Sequence, residues 1–418
     1  MQIKKRDGRV KPFETSKITN AIMRAYDECY PSCKNESTAL QITMNIVNKL
    51  NKSEYTVEEI QDIVIEEINK VNEIVGRAYE KYRNMRTEKR EKNSKKEKFY
   101  REILHCTNVD NDNANVDQYS FSGRKYRIAD AEQKSFALRN LIGEKGRDAF
   151  EKGALYYHDL SSYAIGEHNC MFTDNAKLIN ETGFKTRNGD VRPANSFSTA
   201  CQQLAVIFQI QSQVQFGGVA SLCTDFELEK AAHKSFVKHF KDGLLEKEEI
   251  ELWNSEEKHP EIHIDETTLK MLYPKAYDYA IRHLEKEGSQ AAQGLYHNLN
   301  TLESRAGSQV PFTSLNFGRN TTTYGRLINK WLLDASIDGI GKFNRTSIFP
   351  IGIFQYKKGV NDKEGTPNYD LKMKAIESMC KRIYPNWANG DWKQNIEDPN
   401  DYRTYFGTMG KLTAPIYQ

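Results

Sequence analysis

Ten consecutive residues, 89–98 (KREKNSKKEK), carry six basic and two acidic side chains and no large apolar group. No folded core runs through such a segment, so it divides the chain. Charge runs usually face water, which makes this one a solvated helix end or linker rather than a nucleic-acid patch. A boundary near residue 95 separates a front module of helical texture from a longer stretch of mixed texture. At about 150 residues per domain, 418 residues allow two or three domains. Sixty basic against 57 acidic residues leave a net charge of +3, too balanced to make nucleic acid a direct partner. No run approaches the roughly 20 apolar residues of a spanning helix, and MQIKKRDGR lacks the apolar centre of a signal peptide. Seven cysteines, at 29, 33, 106, 170, 201, 223 and 380, are odd in number and scattered. They fit a reducing compartment better than a disulfide framework. The expectation is a cytoplasmic protein without membrane contact.

In the front module, Gln2–Lys5 and Val10–Phe13 flank Arg6-Asp7-Gly8-Arg9, and Asp-Gly favours a tight hairpin turn. Ile18, Ala21, Ile22, Ala25 and Tyr26 recur at helical spacing behind Ser16, the expected cap. Leu40, Ile42, Ile46, Val47 and Leu50 mark a second helix. A third opens on the capping box Thr56-Val57-Glu58-Glu59 and carries Ile60, Ile63, Val64 and Ile68. Ile74, Val75, Ala78, Tyr79 and Tyr82 mark a fourth. From about 100 to 410, helical patterns (129–150, 200–215, 227–243, 267–286, 326–335, 371–383) alternate with β-like runs at Phe312–Phe317 and Ile348–Tyr356. That alternation is the texture of an α/β fold.

Lys4, Lys5, Arg6, Asp7, Gly8, Arg9 and Lys17 crowd one glycine turn and one helix start. Backbone N–H groups at a turn and a helix N-terminus, with cations beside them, form a phosphate site. On composition alone an ordinary basic hairpin fits equally well. The whole string IKKRDGRVKPFETSKITNAI is more specific, since it resembles the ATP-cone, a nucleotide-binding regulatory module of many ribonucleotide reductases. Ala78-Tyr79-x-x-Tyr82-Arg83-x-x-Arg86 looks like the last helix of that module.

Asn113–Asp117 and Ser120–Arg124 read as turns by themselves. Tyr157-His158-Asp159-Leu160 precedes Asn169-Cys170, and the spacing matches neither a CxxC pair nor HExxH, so no metal site is expected. Asp159 and His158 fit turn and support roles, and a lone cysteine is most often a small buried apolar residue. Cys29-x3-Cys33 has no second pair to complete a metal site, and Cys201 and Cys223 read as structural. The surrounding elements shift the reading of Cys170. They are Gly183-Phe184 with Asn188-Gly189, Ser196–Ala200, then Gln209-x-Gln211-Ser212-x-x-Gln215-Phe216-Gly217-Gly218, and HNLNTLESRAGSQVPFTSLNFGRNTT at 297–322. Asn, Gln, Ser and Thr are dense there beside apolar residues. Buried amides need partners, and a sugar triphosphate supplies many.

This order of motifs resembles the anaerobic (class III) ribonucleoside-triphosphate reductases, with an IHD-type motif, an Asn-Cys pair, Gln-Phe-Gly-Gly and SRAGSQVPF in sequence. The likeness covers residues 1–410. It implies an α/β fold: a small, mostly helical ATP-cone with a β-hairpin at 1–95, then at 96–410 the N-terminal portion of a ten-stranded α/β barrel. It implies radical chemistry in which a cysteine thiyl removes the ribose 3′-hydrogen, the 2′-hydroxyl leaves as water and the sugar is reduced with formate or a thiol system. Cys170 matches the Asn-Cys motif and is expected on the α-face of the ribose. Asn169, Asn298, Ser304, Ser308 and Gln309 are the expected substrate contacts. ATP and dATP are the implied effectors of the cone, and a dNTP sets specificity at a second site in the dimer interface. Gln215–Gly218 would line substrate or support that site, or its glycines would serve close backbone packing. The implied partners are a ribonucleoside triphosphate, a radical-SAM activase and a second copy of the chain.

The likeness stops at one place. In the family the thiyl-bearing cysteine follows a Thr-Met-Gly-like segment; here Thr408-Met409-Gly410 is followed by Lys411. Residues 411–418, KLTAPIYQ, match nothing, and the glycyl radical and zinc are expected only in a C-terminal part missing here. An interrupted reductase is the first reading. A non-catalytic ATP/dATP-binding regulatory or assembly subunit is the alternative, and a half that pairs with a separately encoded C-terminal half is the third. A lysine amine cannot replace a thiol in hydrogen-atom transfer. The 418-residue chain, given activase, reductant and a ribonucleoside triphosphate, is therefore expected to form no deoxynucleotide. Product formation above background in a radioactive reduction assay contradicts this.

Overall fold

The computed structural model describes residues 1–5, 9–33, 35–92, 95–105 and 116–392 and the backbone of 412–413. Arg6, Asp7 and Gly8, Asn113–Asn115, Thr408–Lys411 and Cys106 lie outside the described residues. Two compact units are present, Met1–Thr107 and Asn108–Gln418.

In the first unit, β1 (Gln2–Lys4) and β2 (Val10–Pro12) form the expected antiparallel hairpin, with Ile3 opposite Lys11. A strand that local pattern does not signal, β3 (Glu54–Thr56), joins β1 in parallel and sets Tyr55 opposite Ile3. Helix α1 (Thr15–Cys29) begins before Ser16, so Ser16 is not its cap. The extended backbone that a cap requires is at Glu14, whose carboxylate takes the Lys17 ammonium at 2.9 Å. After α2 (Glu36–Lys49), α3 (Val57–Val71) starts on the full capping box: Glu59 N–H donates to the Thr56 hydroxyl at 3.2 Å, and Thr56 N–H to the Glu59 carboxylate at 2.7 Å. Helix α4 (Glu73–Lys92) runs on into the basic stretch and α5 (Lys95–His105) follows it, both within the first unit. Ile22, Ile42, Ile46, Val64, Ile68 and Val75 form the centre of this unit's core.

The second unit opens with α6 (Phe121–Asn140) and α7 (Glu144–Glu151), separated at Gly143, so the helix expected over 129–150 is two. There follow α8 (Leu160–Ile165), β4 (Met171–Phe172), α9 (Asn175–Lys177) running into a π-helical turn at Leu178–Thr182, and a hairpin of β5 (Phe184–Thr186) and β6 (Gly189–Val191) around Asn188. Then come α10 (Phe197–Gln211), β7 (Val219–Ser221), α11 (Thr224–Glu227), α12 (Glu229–Glu246), α13 (Ile250–Ser255) and α14 (Thr267–Leu272). The helix expected over 267–286 breaks at Pro274, which supplies no N–H and disfavours helical backbone before it. From there α15 (Pro274–Thr301) continues well past 286. The rest is β8 (Thr313–Phe317), α16 (Thr323–Asp338), β9 (Ile351–Tyr356), α17 (Tyr369–Arg382) and β10 (Asn386–Asn389).

Among the described residues the main sheet is parallel with strand order β10-β9-β8-β7. Its central strands are buried nearly throughout, as expected of a parallel sheet covered by helices. Helix α15 packs on α10, α12 and α16. A Cβ at Gly288 would stand 2.3 Å from the Trp331 ring, so glycine is what lets α16 approach here.

Loops at the carboxyl ends of the strands are tied down by two buried carboxyls. Asp225 accepts N–H groups of Gly318 (3.0 Å) and Asn320 (2.8 Å), and Glu227 accepts those of Leu222 (3.0 Å) and Cys223 (3.3 Å) plus the Ser221 hydroxyl (2.7 Å). Burial pushes Glu227 up to about 7, and the hydrogen bonds only partly oppose it. A carboxyl with a raised folded-state pKa is favoured protonated, so the contribution of Glu227 to stability falls as pH rises from about 4.5 to about 7 and is then flat. Glu227→Gln should remove that falling limb, a difference of order 3 kcal/mol. Denaturant unfolding across this pH range checks it; an unchanged limb contradicts the assignment.

Candidate functional site

Segments distant in sequence converge on Cys170. His168 pairs with Gln215, and the N–H groups of Phe216 and Gly217 donate to the carbonyls of His168 (2.9 Å) and Asn169 (2.7 Å). The Cys170 thiol donates to Asn169 Oδ1 at 3.4 Å. A Cβ at Gly217 would stand 2.5 Å from Cys170 Sγ and 2.3 Å from Asn169 Oδ1. Of the roles open to Gln215–Gly218, close backbone packing against the cysteine is what the geometry displays.

Two of the amides expected to seek a sugar, Gln211 and Gln215, are already engaged. Gln211 Nε2 donates to Met171 O (2.8 Å) and Gln215 Oε1 (2.9 Å), while its own oxygen takes the Thr173 hydroxyl at 2.7 Å. Gln215 accepts Met171 N–H at 3.2 Å and donates to Gly218 O at 2.7 Å. Both side chains are buried, so they hold the strand after Cys170 in place and satisfy each other.

The loop 303–309 adds a cation. Arg305 donates through Nη2 to Phe216 O and through Nη1 to Gly217 O at 3.4 Å, and its guanidinium lies 4.3 Å above the Phe312 ring. Burial lowers its pKa, with Tyr126, Glu167, Asp159 and Cys170 opposing. Ser304, Ser308 and Gln309 build this loop: Ser304 Oγ is 3.5 Å from Ser212 Oγ, Ser308 is left-handed (φ 54°), and the buried Gln309 amide donates to Ala306 O at 2.7 Å. Asn298 does not join them. Exposed His158 pairs with its neighbour Asp159, itself left-handed, as suits a turn.

Asn298 instead lines a cavity of about 510 Å³ whose walls come from α10, α12 and α15. Lys238 and His239 stand on one side, His283, Lys286 and Glu287 on another, with Ser196 and Ser198 at the start of α10. Cys201, read as structural, is buried in its wall. Burial raises Glu287, but hydrogen bonds from His239, Ser198 and Ser235 outweigh it and hold the carboxyl at about 2. The cavity therefore carries lysine cations and one fixed carboxylate. Spacing at 283, 286, 287, 290 and 294 places these positions on one helix face, a signal the sequence contains but that polar composition masks.

The first unit has its own cavity, of about 310 Å³, lined by Arg24, Glu28, Gln61, Tyr79, Tyr82, Arg83, Arg86 and Arg90. Arg83 also pairs with Asp62 (2.6 Å) and Glu58 (3.2 Å). Lys4, Lys5, Arg9 and Lys17 do not line it. Arginines of the last helix do, and of these only Arg83 and Arg86 fell within a recognised motif. Among the described residues no His, Cys, Asp and Glu side chains cluster as a metal site, and no helix is long and apolar enough to cross a membrane.

Gly217→Ala is expected to cost about 1–3 kcal/mol through overpacking against Cys170, whereas Gly218→Ala, with its nearest neighbour at 3.4 Å, should cost far less. Paired denaturant melts check this; equal stabilities contradict the contact.

The sequence model described as anaerobic ribonucleoside-triphosphate reductase matches residues 112–410, and that of the ATP cone domain matches residues 1–88. The anaerobic ribonucleoside-triphosphate reductase of Haemophilus influenzae is 32% identical over 98% of this chain and 55% of its own length. That of Escherichia coli is 30% identical over 98% of this chain and 54% of its own. The chain thus spans about half the length of the curated relatives it matches. The anaerobic ribonucleotide reductase of Thermotoga maritima, solved in complex with dATP and CTP, is similar over 68% of this chain and 44% of its own, at 16% identity and a TM-score of 0.44. With a matching family sequence model over most of its length, this chain belongs to the anaerobic ribonucleoside-triphosphate reductase family.

Proposed function

We propose that this chain forms the nucleotide-handling half of an anaerobic ribonucleoside-triphosphate reductase. The observation that carries this is Cys170, packed against Gly217 and faced by a loop whose Arg305 binds the Phe216 and Gly217 carbonyls. In this reading Cys170 meets the α-face of the ribose as a redox and hydrogen-bonding partner. Asn169, Ser304, Ser308 and Gln309 shape the surrounding loops. The thiyl cysteine, the glycyl radical and zinc belong to the part of the relatives' length that this chain does not span, as does contact with an activase. A buried barrel interior protects such radicals from side reactions.

The first unit serves as the regulatory cone. ATP or dATP phosphates face Arg24, Arg86 and Arg90, with Tyr79 and Tyr82 available to the base. The cavity among α10, α12 and α15 takes a dNTP that sets specificity, its phosphates on Lys238 and Lys286. Asn298 then belongs to the effector rather than the substrate, and the chain acts as a dimer in a soluble compartment.

A hydrogen bond to a charged group contributes about 1.5–3 kcal/mol. Arg86→Ala should therefore weaken ATP binding roughly tenfold to a hundredfold, and Lys238→Ala should weaken dTTP binding by a similar factor. Equilibrium dialysis of the full chain measures both. Unchanged affinities in both variants contradict the reading.

A further inference from the structure

Helix α10 touches both regions of the second unit. Ser196 and Ser198 at its start line the cavity, and Gln211 at its end holds Met171 O, next to Cys170. Fifteen residues at a rise of 1.5 Å make it about 22 Å long. Its first turn rests on Glu287 of α15. Ser198 N–H donates to Glu287 Oε1 at 2.9 Å. The Ser235 hydroxyl donates to the same oxygen at 3.0 Å while accepting Phe197 N–H at 2.7 Å. His239 Nε2 donates to Oε2 at 2.7 Å. The first N–H groups of a helix have no helical partner, and here a carboxylate at the cavity wall satisfies that of Ser198 directly and that of Phe197 through Ser235.

We propose that Glu287 is a positioning residue that passes occupancy of this cavity by a phosphate-bearing effector to Cys170 through α10. The proposal rests on the reading of the cavity as the effector site. A phosphate seeks the same donors as Glu287, namely helix N–H groups and nearby cations, and two anions in one cavity repel. Its arrival draws His239 away from the carboxylate, and the first turn of α10 follows. The helix moves as one body because Phe197, Ala200, Leu204, Ile207 and Phe208 are locked in the core. At the far end Gln211 carries Met171, and with it the backbone of Cys170.

The test is the rate at which iodoacetamide alkylates Cys170 in the full chain, read by peptide mass spectrometry so that other thiols do not contribute. Magnesium dTTP is the probe, and its binding is measured separately by dialysis. Saturating dTTP should change the rate about fivefold or more in the unaltered chain. Glu287→Gln should still bind dTTP, within about threefold or more tightly, yet lose the rate change. Glu287→Asp, which keeps the charge with a shorter reach, should retain part of it. If Glu287→Gln does not fold, judged by its melt, Glu287→Asp decides: a full rate change there overturns the proposal. A full change in folded Glu287→Gln, or bound dTTP without any change in the unaltered chain, overturns it while leaving the effector reading standing. If Lys238→Ala leaves dTTP binding untouched, the effector reading fails and this inference with it.

Discussion

The second unit depends on how closely three helices can approach α15. Its buried face carries Ala276, Ala280, Leu284, Gly288, Ala291, Ala292, Leu295 and Leu299. Small side chains there admit α12, whose Gly243 would place a Cβ 2.9 Å from Ala276 O, and α16, whose Trp331 lies against Gly288. The free energy comes from apolar burial, about 25 cal/mol per Å², but the geometry comes from the missing side-chain atoms. The adjoining face of the same helix presents His283, Lys286, Glu287 and Asn298 to the cavity, with Ala291 and Leu295 shared by both. Core and cavity are therefore two faces of one element, and packing on one side sets charge positions on the other.

Two glutamates show how the surroundings decide ionisation. Glu227 is buried, and burial drives it up to about 7 although backbone N–H groups donate to it. Glu287 is also burdened by burial, yet His239, Ser198 and Ser235 donate to it and hold it at about 2. The first ties a loop as a group that is neutral over much of the acid range. The second is a permanent anion in a cavity of cations. The second, ionised throughout the neutral range and standing in the cavity wall, is the one placed to answer the arrival of another anion.

Local chemistry was legible in the sequence where it is local in the fold. The Asp-Gly hairpin, the Thr56–Glu59 capping box and the β-like runs at 312–317 and 348–356 depend on neighbours within a few residues, and the structure shows the two strands, the capping box and the β runs. Strand β3 was hidden because its partner lies about fifty residues away in the hairpin. The break at Pro274 carries a residue signal that helical periodicity overrode, and Gly143 is similar. Within the site, Asn169-Cys170 and Gln215–Gly218 read as motifs, but not that Gly217 packs on the thiol. The engagement of Gln211 and Gln215 with backbone was equally invisible, since composition shows donors and acceptors without their partners. Arg305 lay inside a quoted motif, and only the fold brings it to the Phe216 carbonyl.

On the proposed function each unit holds one nucleotide cavity, and in the second a helix joins that cavity to the segment of Cys170. The central claim is that the cavity among α10, α12 and α15 is a nucleotide site. The most direct measurement is a crystal structure of the full chain grown with magnesium dATP. The account predicts nucleotide density in that cavity with phosphates against Lys238 and Lys286 and with Ser198 N–H no longer shared only with Glu287. Density confined to the first unit, with this cavity empty at saturating dATP, would contradict it.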